Sequence, residues 1–413
     1  MSAIRSTTLD CGLPLVVERM TGVRSLGVSW LLPMGSAHDP ESRVGRAPVL
    51  AEMLLRGAGD LDSRAQADAF DTLGASRGTN VETFNISISS TLLGSRLSEV
   101  APLLASMVRE PLLAQDSLAP SKDLCAQAVA SLEDDPQDRV VLLARAHHSP
   151  SPINRPSVGT EAGVAAVTLD DVHAWRTSCA PGSSVLALAG DVELDHAADL
   201  FNRLLDGWTG ESRELAFDPA DAPRGIHHEH DDTNQVHIAV ASDGPTESDE
   251  DAWCERIVQT VLSGGMSGRL FTEVREKRSL VYSVYSTYAG DRRYGRCLAY
   301  AGTTPERAQE TLDVLLDELN KVNTPAGRIT EDEHRRALIG RKSKLVMSGE
   351  SSGARASALA HDWIKLGRAR SLDELASELD AVTLDRVNAY LERREMGRIT
   401  VATLGPSPLT IPG

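Results

Sequence analysis

A ten-residue stretch that occurs twice constrains this chain more than any other feature. Residues 166–175 read AVTLDDVHAW and residues 381–390 read AVTLDRVNAY, with seven of ten positions identical at a constant offset of 215. Each copy is followed by a strand-like run, SSVLALAGDV at 183–192 and GRITVATLGP at 397–406. A helix-then-strand order kept at both places points to duplication rather than a chance match. A length of 413 residues also exceeds what one ordinary core holds. The seam is expected where periodicity fails. Residues 211–232, ESRELAFDPADAPRGIHHEHDD, are polar and carry two prolines and a glycine, as a linker would. The expected division is a domain at 1–210, a linker at 211–232 and a second domain at 233–413.

Within each half, strand-like and helix-like segments alternate. The first half opens with LPLVVERM and SLGVSWLLPMG, continues with the helical APVLAEMLLRG, and reaches the strand-like TFNISISSTLL. The second has QVHIAVAS, the helical AWCERIVQTVLSG, and then VYSVYSTYAG and GRCLAYAGT. Residues 305–322, PERAQETLDVLLDELNKV, space their apolar positions by three and four, the helical period. These patterns predict an α+β fold of two tandem sandwich domains, helices packed on mixed or antiparallel sheets.

Composition narrows the function classes. The apolar fraction of 41% with 24% charged residues is that of a globular protein, and no apolar run approaches membrane-spanning length. A net charge of −17 argues against nucleic acid and anionic membranes, whose phosphates require a basic surface. The five cysteines are scattered without a C-x-x-C pair, which suits reduced thiols. With no basic segment and apolar core at the N-terminus, a cytoplasmic location is expected.

Nucleophilic motifs are unconvincing. No G-x-S-x-G elbow stands out, and SGGMSG at 263–268 lacks the Lys-Ser/Thr of a phosphate loop. His227, His228 and His230 cluster beside Glu229, and His147 and His148 form a second pair, but neither has zinc-motif spacing. Their polar setting favours exposed histidines over ligands.

Two segments carry a family resemblance. Residues 35–57, GSAHDPESRVGRAPVLAEMLLRG, and residues 262–288, LSGGMSGRLFTEVREKRSLVYSVYSTY, resemble the pitrilysin and mitochondrial-processing-peptidase family of zinc peptidases. In that family the first segment carries H-x-x-E-H on a helix. Its spacing puts two imidazoles on one helical face with a glutamate to activate water, and a second helix brings a third ligand. Matching the flanks places these positions on Pro48, Ala51 and Glu52. Fixing the downstream helix on Pro136 places the third ligand at Ala128, 76 residues beyond Glu52 (128 − 52). Only Glu52 has a donor atom, and one carboxylate does not hold zinc. The resemblance therefore implies no metal in this chain.

The second segment keeps what the first has lost. Its pattern places the family's arginine and tyrosine on Arg275 and Tyr282, seven residues apart (282 − 275). By resemblance, Arg275 binds a substrate carbonyl or carboxylate and Tyr282 donates to a developing oxyanion. The plainer alternatives are that Arg275 pairs with Glu273 or Glu276 and that Tyr282 is an ordinary half-buried strand residue. The resemblance spans nearly the whole chain, but lacks the long glycine-rich loop of the processing peptidase's non-catalytic subunit.

What this implies is a clam-like half of a heterodimeric zinc metallopeptidase. A partner chain would carry H-x-x-E-H and the zinc, and a peptide substrate would add a strand to a sheet edge, for which Arg77, Gly78, Thr79 and Asn80 are the candidate. Two other readings stand beside it: a catalytically inactive scaffold or peptide-binding protein, and an enzyme with a relocated metal site at His227, His228 and His230.

Overall fold

The computed structural model describes residues 4–174, 179–210 and 215–411. The last residue of the first repeat copy, Trp175, and residues 211–214 of the expected linker lie outside the described residues. The chain forms two compact units, one of residues 1–131, 155–217 and 347–371, the other of residues 132–154, 218–346 and 372–413.

The first unit is built on a six-stranded sheet. Its strands are β1 (Ile4–Thr8), β2 (Pro14–Arg19), β3 (Ser25–Leu32), β6 (Gly78–Val81), β7 (Ile86–Leu93) and β8 (Val185–Gly190), in the order β1-β2-β8-β3-β7-β6; β4 (Gly57–Ala58) and β5 (Leu61–Asp62) form a separate ribbon. The pairs β2/β8 are parallel and the rest antiparallel. One face packs against the helices Arg46–Leu54, Leu97–Arg109 and Leu194–Leu204 around a core containing Trp30, Leu50, Met53 and Phe201. The other face presents Val16, Leu31, Ala187 and Ala189 to Ala356, Leu359 and Ala360 of the helix Ser352–Leu366. Burial on both faces explains why β8 reads as an unbroken apolar run, VLALAG, rather than an alternating one. Gly27 on β3 permits the close approach of that helix: a Cβ there would lie less than 3.0 Å from the Ser352 backbone.

The second unit carries the strands β9 (Gly225–His230), β10 (Val236–Gly244), β11 (Val281–Gly290), β12 (Gly295–Thr303) and β13 (Thr400–Gly405) in the order β11-β12-β10-β13-β9. Read from the other edge, this is β9-β13-β10-β12-β11, and it matches β2-β8-β3-β7-β6 strand for strand. The first pair is parallel and the following three antiparallel in both. The repeat copies occupy equivalent places, each a short helix feeding an inner strand. Thr168 caps the helix Leu169–His173 ahead of β8, and Thr383 caps the helix Leu384–Arg393 ahead of β13.

Two features depart from the sequence expectation. The units do not follow a cut between 210 and 233. The helix Pro136–His148 belongs to the second unit, where Val140, Val141 and Ala144 pack on Ala239, Ala241 and Ala402, while the helix Ser352–Leu366 belongs to the first. An apolar helical stripe shows that a helix needs a sheet, not which sheet it covers. Second, the expected linker contains β9, paired in parallel with β13 from Thr400↔Gly225 to Gly405↔His230. Its polar residues fit a strand at the sheet's edge.

Candidate functional site

The helix Arg46–Leu54 begins where Gly45 turns the chain at φ 140°, a conformation open to glycine. Asp39 caps it, accepting from Gly45 N at 2.8 Å and Ala47 N at 2.9 Å. Pro48 lies in the first turn, where a backbone donor would have no helical partner. Val49, Leu50, Met53 and Leu54 are fully buried. The helix packs against Gln115–Ala130, the helix carrying Ala128, and against edge strand β6, whose Thr79 Oγ1 donates to Ala51 O at 3.1 Å.

The two helices that the family resemblance singles out therefore pack against each other. Ala51 is buried, Ala128 is exposed and Pro48 has no ligand atom. Glu52 lies near Cys125, but burial, and then the Glu52 carboxylate, push that thiol up to about 12, so it stays protonated and no thiolate joins the carboxylate. Zinc does not fit these residues, since catalytic sites need three protein ligands.

The histidine cluster is split by strand geometry. Side chains alternate along β9, so His227 faces opposite to His228 and His230. His227 stacks on His147 at 3.5 Å, and His228 Nδ1 is 2.9 Å from Thr403 Oγ1 on the other face. The cluster therefore sits on a strand rather than a loop. Among the described residues no three His, Cys, Asp or Glu side chains converge as metal ligands would.

Arg275 and Tyr282 occur where the backbone is least regular. Arg275 lies in a π-helix, Phe271–Glu276, a form that concentrates at functional positions. Ser279, at φ 52°, ends this turn, its N–H bonding to Arg275 O at 2.9 Å. Tyr282 then falls in a bulge of edge strand β11: Val281 pairs with Thr303 and Ser283 with Gly302, so Tyr282 has no opposite residue. Bulges re-aim side chains. Tyr282 is 68% exposed, and no hydrogen bond engages its hydroxyl among the described residues. Arg275 is exposed, with its guanidinium 4.9 Å from the Phe271 ring. The acid that could have claimed it, Glu273, is held instead by Lys277 at 2.7 Å and Arg278 at 3.1 Å.

One supporting residue was not singled out from the sequence. Arg269, in the same GRLF run, donates to both Glu333 oxygens at 2.7 and 2.8 Å and to the carbonyls of Gly327 and Arg328. Burial opposes ionisation of Glu333, but Arg269 and the Thr330 N–H hold its carboxyl down to about 2. This fork fastens the segment leading into the Arg275 turn to the start of the helix Glu331–Gly349. An arginine six residues before Arg275 was visible, but its partner 64 residues away was not.

Residues 78–80 form most of β6, which among the described residues pairs only with β7, and Arg77 precedes it with its guanidinium 5.3 Å from the Phe70 ring. No helix among the described residues is long and apolar enough to cross a membrane.

The profile of a family described as the peptidase M16 inactive domain matches residues 166–340. Over 98% of its length the chain is 28% identical to an uncharacterised zinc protease of Mycobacterium leprae, covering 93% of that protein. It is 25% identical to the uncharacterised zinc protease YmxG of Bacillus subtilis, with 98% of each covered. A solved peptidase M16 inactive domain from Pseudomonas fluorescens superposes with a TM-score of 0.86 at 22% identity, over 99% of this chain and 100% of that one. A chain of complex III from Candida albicans superposes at 0.82 with 17% identity, over 98% and 96%. These structures share the fold from end to end.

Proposed function

The chain is a pitrilysin-type, M16-family protein of the non-catalytic kind, and from that premise we propose that it is one subunit of a two-chain zinc peptidase. Its partner supplies H-x-x-E-H and the metal; this chain supplies Arg275 and Tyr282 to the shared substrate site. The observation that carries the reading is the contrast between an assembled helix frame without donors at Pro48, Ala51 and Ala128 and an exposed, unpaired Arg275 and Tyr282 on irregular backbone.

In this reading the partner's zinc supplies Lewis-acid polarisation of the scissile carbonyl. Arg275 holds a substrate carbonyl or carboxylate through its planar fork, and Tyr282 donates its hydroxyl hydrogen to the oxygen that gains charge. The open edge of β6, at Gly78, Thr79 and Asn80 beside Arg77, receives the peptide as an added strand. The assembly works in the cytoplasm, on peptides.

The test is reconstitution with a similarly sized H-x-x-E-H chain. This chain alone is expected to be inactive and the pair to cleave peptide in a zinc-dependent way. Tyr282→Phe should lower kcat about 10²-fold, the usual cost of losing one oxyanion donor, while leaving assembly unchanged. Full activity of a mixed complex carrying both Arg275→Ala and Tyr282→Phe would overturn the assignment in favour of a scaffold.

A further inference from the structure

The second unit contains a cavity of about 360 Å³ between the helix Ala252–Ser263, edge strand β11 and the helix Glu331–Gly349. These are the counterparts, by order in the duplicated sheet, of the elements that frame the zinc position in the first unit: the helix after the central strand, the edge strand and the later long helix. The equivalent place in this unit is lined by cations. Arg256, Arg341 and Lys344 all face it.

Their surroundings leave positive charge unanswered. Arg256 is held between the Trp253 and Tyr288 rings, at 4.9 and 5.2 Å, with one nitrogen on Glu247 at 2.5 Å. Its Nη1 is buried and has no hydrogen-bond partner among the described residues. Arg341 and Lys344 make no hydrogen bond or ion pair among the described residues. Burial, and then repulsion from Arg256, depress Arg341 to about 10 against the attraction of Glu247, which still leaves it charged at neutral pH. Gln259 and Ser286, two of the neutral polar residues in the lining, are already bonded to each other. Three cations against one carboxylate leave an excess of about two positive charges, in a chain whose net charge is −17. Desolvated guanidinium groups without partners are costly, and an oxyanion satisfies them with charge-assisted bonds.

We propose that this cavity is a binding site for a phosphate dianion, free or carried on a small molecule. The volume lies at the lower end of small-ligand pockets, and two excess charges match a dianion better than a single carboxylate. Arg256 provides a fixed fork and Arg341 a second guanidinium; exposed Lys344 closes the charge balance from the solvent side. The duplication thus sets a packed helix without donors in the first unit opposite a cation-lined cavity in the second. The proposal is independent of any partner chain.

Isothermal titration and thermal unfolding of the purified chain at constant ionic strength test it, with inorganic phosphate, glycerol 3-phosphate and acetate as probes. Phosphate should bind and raise the unfolding temperature, and glycerol 3-phosphate binding as well or better would identify an esterified ligand. Arg341→Met and Lys344→Met should each weaken phosphate binding about tenfold or more, the loss of one charge-assisted contact. Without phosphate, Arg341→Met should unfold at the same or a higher temperature, because it removes a half-buried cation that Arg256 repels. No response of the native chain to either phosphate probe, an equal response in Lys344→Met, or acetate binding as tightly as phosphate would overturn the proposal.

Discussion

The two halves share one strand order and diverge in what they place on it. In the first, the helix beside the sheet's edge is packed with apolar side chains, and the positions that the family resemblance assigns to a zinc site and its base hold Pro48, Ala51, Glu52 and Ala128. In the second, the same region is charged: Arg256 and Arg341 line a cavity, Arg269 grips Glu333, and Arg275 and Tyr282 stand exposed. Duplication fixes the backbone frame while leaving side-chain chemistry free to separate. At buried position 51 an alanine leaves no polar group to be satisfied inside the core.

The largest expected effects test how each half fastens its helices. Each unit contains a buried ion pair. In the first, Arg355 on the helix Ser352–Leu366 donates to Glu18 on β2, its Nε at 2.8 Å, and both residues are almost fully buried. In the second, Arg394 bonds Glu255, which also receives Tyr390 and Gln259. Burial alone would raise the Glu255 carboxyl, but Arg394 and these donors hold it below the usual range. Removing one member of a buried pair costs about 3–5 kcal/mol, because the other charge is stranded. Arg355→Met leaves Glu18 with no other donor among the described residues and should show the full loss in chemical denaturation. Arg394→Met should cost less, because Tyr390 and Gln259 remain. The opposite ranking would break the comparison, and a Glu18→Met, Arg355→Met double variant should recover most of the loss.

The duplication and the α+β class were legible because both rest on local pattern: repeated residues, alternating strands, helical spacing. H-x-x-E-H is a local motif too, so that it does not occur can be read directly from the sequence. The exchange of the helices Pro136–His148 and Ser352–Leu366 was not, because amphipathic helices with alanine-rich faces fit either sheet. β9 was missed because GIHHEH lacks the apolar alternation of a half-buried strand, and its pairing partner, β13, lies 175 residues away at Thr403↔His228. The cation-lined cavity was beyond reach too: Arg256 and Arg341 come from helices far apart in sequence, and the run RRALIGRKSKL reads as a solvated basic face.

A smaller effect separates the halves by pH. Glu333 is held down to about 2 by Arg269 and Thr330 despite its burial, whereas a free glutamate titrates near 4.5. A depressed folded pKa stabilises the native state above the unfolded value, and that stability is lost as pH falls from about 4.5 toward 2. Glu333→Gln should therefore be less stable than the native chain at pH 7, yet lose less on acidification through that window. A parallel slope for both proteins, followed by thermal unfolding at successive pH values, would show that the fork does not anchor the segment before Arg275.

The smallest effect lies in the repeat itself. Thr168 and Thr383 occupy the same repeat position (383 − 168 = 215) and both cap their helices, but the residue three places on is Asp171 in one copy and Arg386 in the other. Asp171 completes a capping box: its carboxylate accepts from Thr168 N at 2.9 Å and Thr168 Oγ1 at 2.6 Å, and also from Arg43 at 2.6 Å. Arg386 cannot reciprocate, so Thr383 contributes only its bond from Arg386 N at 3.2 Å. Both Thr→Ala variants should lose about 1 kcal/mol, the usual cost of a cap. Thr168→Ala should lose a few tenths more, because it also breaks the hydroxyl-to-Asp171 bond. Arg386→Asp should narrow that gap by giving the second helix the box that the first retains. If the gap persists in Arg386→Asp when unfolding midpoints are compared, the difference arises from the packing of the two helices rather than from their caps.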